Sequence, residues 1–172
     1  MSAVTGAASA DSGAAPAVSV EDRLRIEELY ARYAACLDDA RFEEWPEFFT
    51  DDCVYRVVPR ENHDRGLPLA TLSFESKAML RDRVYAITET LFHEPHYQRH
   101  LITGILAERD DGGFRVRANY LVVRTKTGSL SEVYNAGRYA DRVTDDGGTL
   151  RFREKICVFD SELIPNSLIY PL

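Results

Sequence analysis

Cysteine, basic charge and long apolar runs are all scarce in this chain of 172 residues. Its three cysteines, Cys36, Cys53 and Cys157, are odd in number, far apart and set within apolar patterns. That spacing argues against a disulfide framework and fits small buried core residues in a reducing compartment. With 21 Lys and Arg against 28 Asp and Glu, the formal net charge is -7, so no dense basic face exists for a phosphate backbone and nucleic acid is excluded as a partner. No stretch approaches the roughly 18 to 20 apolar residues of a membrane span. Residues 1–19 are rich in Ala, Ser and Gly and carry neither Lys nor Arg nor a bulky apolar run. They do not read as a secretory signal but as a disordered extension ahead of one domain covering 20–172, and the expected location is cytoplasmic.

Hydrophobic periodicity then gives the elements. Ser19-Val-Glu-Asp22 resembles a capping box, and Ile26, Leu29, Tyr30, Tyr33, Cys36 and Leu37 follow at helical spacing as one apolar stripe. Phe42, Trp45, Phe48 and Phe49 predict a second, short helix, with a strand over Cys53–Val58 stopped by Pro59. Residues 59–74 read as a long loop, and a third helix is expected from about Glu75 to Thr90, with Leu80, Val84, Ile87 and Leu91 on one face. From Tyr97 onward the period becomes two. Phe114, Val116, Ala118, Tyr120 and Val122 alternate with Arg115, Arg117 and Asn119; Leu150, Phe152, Ile156 and Val158 alternate with Arg151, Arg153 and Lys155. These charged positions are expected to face outward. Asp110-Asp-Gly-Gly113, Lys126-Thr-Gly-Ser129 and Asp145-Asp-Gly-Gly148 mark hairpin turns. The result is an α+β fold, with N-terminal helices packed on a curved antiparallel sheet whose long part is a four-stranded meander.

Chemistry is harder to place. His93, His96 and His100 cluster in sequence, but Pro95 keeps all three off one helix, and in an extended segment His96 and His100 lie about 13 Å apart at roughly 3.3 Å per residue. A single ion with bonds near 2 Å does not bridge that distance directly. No Cys-x-His pair occurs to ligate a Rieske cluster. There is no nucleophile-elbow pattern, and Gly112-Gly113 and Gly147-Gly148 sit in hairpin turns rather than before a helix. One acid/base reading stands: Tyr30 and Asp38, roughly 80° apart around a helix, border a common cavity with Asp39, Tyr55 and His100 as a lyase or isomerase site. Against it, Tyr30 belongs to the core stripe and Asp38-Asp39 mark a helix end. Trp45, Phe48 and Phe49 read as core rather than a ligand cage.

Several stretches resemble a known family. Trp45-Pro-Glu-Phe-Phe49 leading into Tyr55-Arg56, Arg81-Asp-Arg83, Arg99-His100, and Asn135-Ala-Gly137 with Tyr139 are similar to the small, or beta, subunits of Rieske aromatic-ring-hydroxylating oxygenases, over nearly all of Val20 to Leu172. Pro59-Arg-Glu-Asn62, Gly66-Leu-Pro-Leu69, Glu75-Ser-Lys-Ala-Met79, Tyr97-Gln-Arg-His100, Asp160-Ser-Glu162 and Ile164-Pro-Asn-Ser167 look most like small subunits of salicylate 5-hydroxylases. The element order is similarly that of the cone-shaped folds of nuclear transport factor 2 (NTF2-like) and scytalone dehydratase. The resemblance implies a non-catalytic, structural subunit with no catalytic, cofactor-binding or metal-ligating residue of its own. It implies a large (alpha) subunit carrying a Rieske [2Fe-2S] cluster and mononuclear Fe(II), an alpha3beta3 hexamer with contacts to other small subunits, and electrons from NAD(P)H through a separate reductase and a ferredoxin. The implied substrate is salicylate or a related benzoate, with 5-hydroxylation to gentisate. The alternatives are an autonomous NTF2-like lyase or isomerase using Tyr30 and Asp38, or a small-molecule binding module. In the subunit reading the interface is expected at loop 59–72, at Arg81 and Arg83, and at the apolar tail 161–172.

Overall fold

A computed structural model of the chain describes residues 17–161 and 168–172; of the tail expected to be disordered over 1–19, residues 1–16 lie outside the described residues, as do 162–167 of the apolar tail, whereas Val18 is buried in the core. The first helix, α1, runs Val20–Asp38 and starts as the capping box requires: the Ser19 hydroxyl accepts the Asp22 N–H at 3.0 Å, with Glu21 and Asp22 at the positive helix end. All six residues of its apolar stripe are buried.

The next segment is tighter than expected. Phe42–Phe48 forms a 3-10 helix containing Pro46, and Phe49 already belongs to β1, which spans Phe49–Pro59 and so begins four residues before Cys53. The presumed loop after Pro59 holds a one-turn helix α2 (Arg60–Asp64) and a short strand β2 (Leu72–Phe74). Helix α3 covers Lys77–Tyr85, starting later than expected because Ser76 is its cap, with the Met79 N–H donating to its hydroxyl at 3.3 Å. A π turn over Ala86–Thr90 then carries the helical path to the expected end.

The meander follows as β3 (His96–Asp110), β4 (Gly113–Lys126), β5 (Glu132–Asp146) and β6 (Thr149–Phe159). The six-stranded sheet has the order β2-β1-β6-β5-β4-β3. Every neighbouring pair is antiparallel except β1 with β6, which run parallel because the chain leaves β1 and returns only after the whole meander. One extra residue enters β3 at Gly104-Ile105, another enters β5 at Tyr134, and a third enters β6 at Arg153. Such bulges bend the strand that carries them. The sheet therefore closes around the helices, and α1 lies against β3 and β6.

The bulge at Arg153 corrects the expected facing of β6. Leu150 and Phe152 point inward as predicted, but the extra residue reverses the phase, so Lys155, Cys157 and Phe159 continue the buried face while Ile156 is half-buried. Lys155, expected in solvent, has none of its surface exposed.

Candidate functional site

The deepest polar group follows from that reversal. Lys155 lies directly across the sheet from Asp141, its Nζ 3.1 Å from Asp141 Oδ2, and both side chains are fully buried. The ammonium sits 3.3 Å from the Tyr139 ring centroid and within 4.9 Å of the rings of Tyr30, Tyr33 and Phe152. Aromatic faces thus replace part of its hydration. Asp141 also accepts the Tyr30 hydroxyl at 2.5 Å and the Ile156 N–H at 3.1 Å. Burial raises its carboxyl above the usual range, against the opposing charge of Lys155. Burial, then the Asp141 charge, holds the Tyr30 phenol well above its ordinary value. Tyr30 is therefore a donor committed to Asp141.

Asp38 and His100 meet at the edge of the sheet. The last turn of α1 carries Asp38, whose Oδ1 lies 2.6 Å from His100 Nδ1 and accepts the His100 backbone N–H at 3.0 Å. Arg99 stands 3.7 Å from the same carboxylate. A cavity of about 610 Å³ between α1 and β3 is lined by Tyr30, Asp38, Asp39 and His100, among others. Four of the five residues considered from sequence thus share one cavity.

Tyr55 is not among them. It is fully buried in the core, its ring 5.2 Å from Trp45, and its oxygen accepts the Leu172 N–H at 2.9 Å. Tyr33 donates to the Leu172 carbonyl at 2.7 Å. Leu168, Tyr170 and Leu172, expected to be pinned against a surface, are buried against this chain's own core. Arg83 holds the segment down: its guanidinium donates to the carbonyls of Leu168 at 2.6 Å and Ile169 at 2.8 Å. Partial burial lowers its pKa.

The histidines do not converge. His93 Nε2 faces the Tyr170 hydroxyl at 2.9 Å, His96 stacks on the Tyr170 ring at 4.4 Å, and His100 turns to Asp38. Among the described residues, no group of three or more His, Cys, Asp or Glu is placed to hold a metal ion, so neither an iron nor an iron–sulfur cluster has a ligand set there. All three cysteines are free and buried; burial pushes Cys157 up to about 12 and Cys36 and Cys53 up to about 11, which keeps them as thiols.

Sequence reasoning missed Asp141, Lys155 and the buried amides Gln98 and Asn135. A polar residue in the inward phase of β3 and β5 was the available signal for Gln98 and Asp141. Nothing in the pattern announced the bulge that turns Lys155 inward.

A model of the SnoaL-like domain matches residues 18–155. The chain is 40% identical over 146 residues to the anthranilate 1,2-dioxygenase small subunit of Burkholderia cepacia, covering 84% of this chain and 90% of that one. It is 33% identical over 153 residues to subunit beta 2 of the terminal oxygenase component of Comamonas terephthalate 1,2-dioxygenase, covering 88% and 99%. A solved structure from Novosphingobium aromaticivorans DSM 12444, assigned as the beta subunit of an aromatic-ring-hydroxylating dioxygenase, superposes with a TM-score of 0.78 at 37% identity, covering 88% of this chain and 98% of that one.

Proposed function

Because the chain belongs to the SnoaL-like domain family and, within it, to the small subunits of aromatic-ring-hydroxylating dioxygenases, we propose that it is the structural subunit of a terminal oxygenase whose chemistry resides in a large partner subunit. One observation carries this reading: the core between α1, β5 and β6 is filled by the chain itself. The Lys155–Asp141 pair, the rings of Tyr30, Tyr33 and Trp45, and Leu172 pack together there, all of them buried. Tyr30, the leading candidate for acid/base work, donates to a buried carboxylate instead of facing solvent. The interior thus supplies rigidity, since a paired and caged charge fixes one arrangement of α1, β5 and β6.

The outer face suits assembly. Leu101, Leu121 and Ala136 align across β3, β4 and β5, and Tyr97, Leu130 and Val133 are exposed beside them. Exposed apolar side chains of this kind are what a subunit contact covers. In this reading three small and three large subunits form the oxygenase. The large subunit holds the Rieske cluster and mononuclear Fe(II), and electrons arrive from NAD(P)H through a reductase and a ferredoxin, all in the cytoplasm. The two named relatives act on anthranilate and terephthalate. Both are aromatic carboxylates, which supports a benzoate derivative such as salicylate as substrate, hydroxylated to gentisate. Co-expression with the large-subunit gene tests the assignment: the two chains should elute together in equal amounts. A chain that elutes alone, while the large subunit assembles without it, would overturn the proposal.

A further inference from the structure

The outer face of the sheet is covered at one end only. Over β1 and β6 the segment carrying α2 lies across it, tied down by Arg60 to Asp160 and by Arg138 to Asp64, each at 2.6 Å, and Val58 and Val158 beneath it are buried. Over β3, β4 and β5 no described part of the chain takes that place: Tyr97, Leu101, Leu106 and Val133 are each more than half exposed. Arg117, opposite Leu106 on one side and Ala140 on the other, is exposed and has no ion pair or hydrogen bond among the described residues.

Charge narrows what this face can meet. The outward positions of β3, β4 and β5 carry five arginines, Arg99, Arg115, Arg117, Arg138 and Arg142, against two carboxylates, Glu108 and Asp110. Asp110 serves Arg115 and Arg142 together, so Arg117 is left over. Residues 20–52, which form α1, the 3-10 helix and the start of β1, carry eleven Asp and Glu against four Arg, a net charge of -7 that equals the whole chain's. Within that stretch Glu27, Glu28 and Glu43 are exposed and have no ion pair or hydrogen bond among the described residues, and Leu24, one turn before Glu27 and Glu28, is exposed beside them. The molecule is thus a dipole, with an arginine-bearing apolar face on the sheet and an acidic side on the helices. Two sheet faces meeting each other would set arginine against arginine; the helical side of another copy meets them with carboxylates.

The subunit reading puts three copies of this chain in one particle, and a three-fold ring closes through one contact between two different patches of the same chain. Resting on that reading, we propose that the bare outer face of β3–β5 docks the acidic outer side of α1 of a second copy, Arg117 facing Glu27 and Glu28, and that this head-to-tail contact closes the ring.

The test is the mass of the full-length chain in solution by analytical ultracentrifugation, with no large subunit present. The parent should reach a three-chain species, and its association should weaken as salt rises. Arg117→Glu alone, and Glu27→Lys with Glu28→Lys, should each weaken association by at least about tenfold, the loss of one good contact. All three positions are exposed, so unchanged melting temperatures are expected. Combining the three substitutions in one chain swaps the charges across the contact and should restore the three-chain species. The inference is overturned if the parent stays a single chain up to about 100 μM, where contacts of micromolar strength are saturated. It is equally overturned if association is indifferent to salt, if either variant associates as tightly as the parent, or if the combined chain associates no better than the two variants. Co-elution with the large subunit is scored in parallel: a parent chain that stays single yet elutes with the large subunit overturns the ring contact alone and leaves the subunit assignment standing.

Discussion

Lys155→Met removes the buried ammonium while keeping most of the side chain's volume. At 3.1 Å from Asp141 Oδ2, with both side chains fully buried, the lost attraction is about 5 kcal/mol at an effective dielectric constant near 20. What unfolding reads is the cost of leaving Asp141 stranded, about 3–5 kcal/mol for one partner of a buried pair. For a domain of this size that lowers the melting temperature by about 6–20 °C. The sign of the pH dependence follows from Asp141, whose carboxyl burial already raises and which loses its nearest cation in the variant. A group raised in the folded state contributes stability below its unfolded pKa and loses it as pH rises through the folded value. The deficit of Lys155→Met against the parent should therefore shrink between pH 7 and pH 4. Asp141→Leu combined with Lys155→Met should recover much of the loss, short of the acceptor that Tyr30 and the Ile156 N–H no longer have. Thermal and urea unfolding followed by circular dichroism measure all three chains. A single variant melting within about 2 °C of the parent at pH 7, or a deficit independent of pH, would refute the idea that this pair organises the core.

Three further outcomes follow from local geometry. Arg83→Met removes two charged hydrogen bonds to the carbonyls of Leu168 and Ile169, so hydrogen exchange should quicken in residues 168–172, with a loss of about 1.5–3 kcal/mol in local protection; unchanged protection would mean that the segment is held by packing alone. Gly137→Ala would put a methyl group 2.0 Å from the Val158 carbonyl oxygen, forcing β5 and β6 apart, and should cost at least about 2 kcal/mol in urea unfolding. Arg81 and then Lys77 hold the Glu47 carboxyl below its usual range, so its contribution is present above the unfolded pKa and lost as pH falls through the folded one; Glu47→Gln should flatten that part of the stability curve between pH 6 and pH 3.

Much of this architecture could be read from the chain. The cap at Ser19, the six-residue stripe of α1 and the inward phase of β4 are local patterns, and local patterns survive folding unchanged. Strand β6 shows where the reading failed. Its alternation is regular in sequence, but an inserted residue at Arg153 costs little locally and reverses every side chain beyond it, so the most consequential charge in the core was assigned to solvent. The parallel pairing of β1 with β6 escaped for a related reason, since it joins segments about a hundred residues apart. Tyr30, Asp38, Asp39 and His100 did come together in one cavity, because helical spacing and strand entry are both local, whereas Tyr55 is buried in the core against Trp45 and Leu172. The apolar tail was read as waiting for a partner; Leu168, Tyr170 and Leu172 instead found their cover within the chain.

In the proposed function this chain builds an oxygenase without performing its chemistry. The most direct measurement is aromatic hydroxylation, with iron determined on the same samples, for the chain alone, the large subunit alone and the two together, each supplied with NAD(P)H, reductase and ferredoxin. No product and no iron are expected for the chain alone, and product from the assembled pair in proportion to the iron of the large subunit. Product formed by the isolated chain would contradict it.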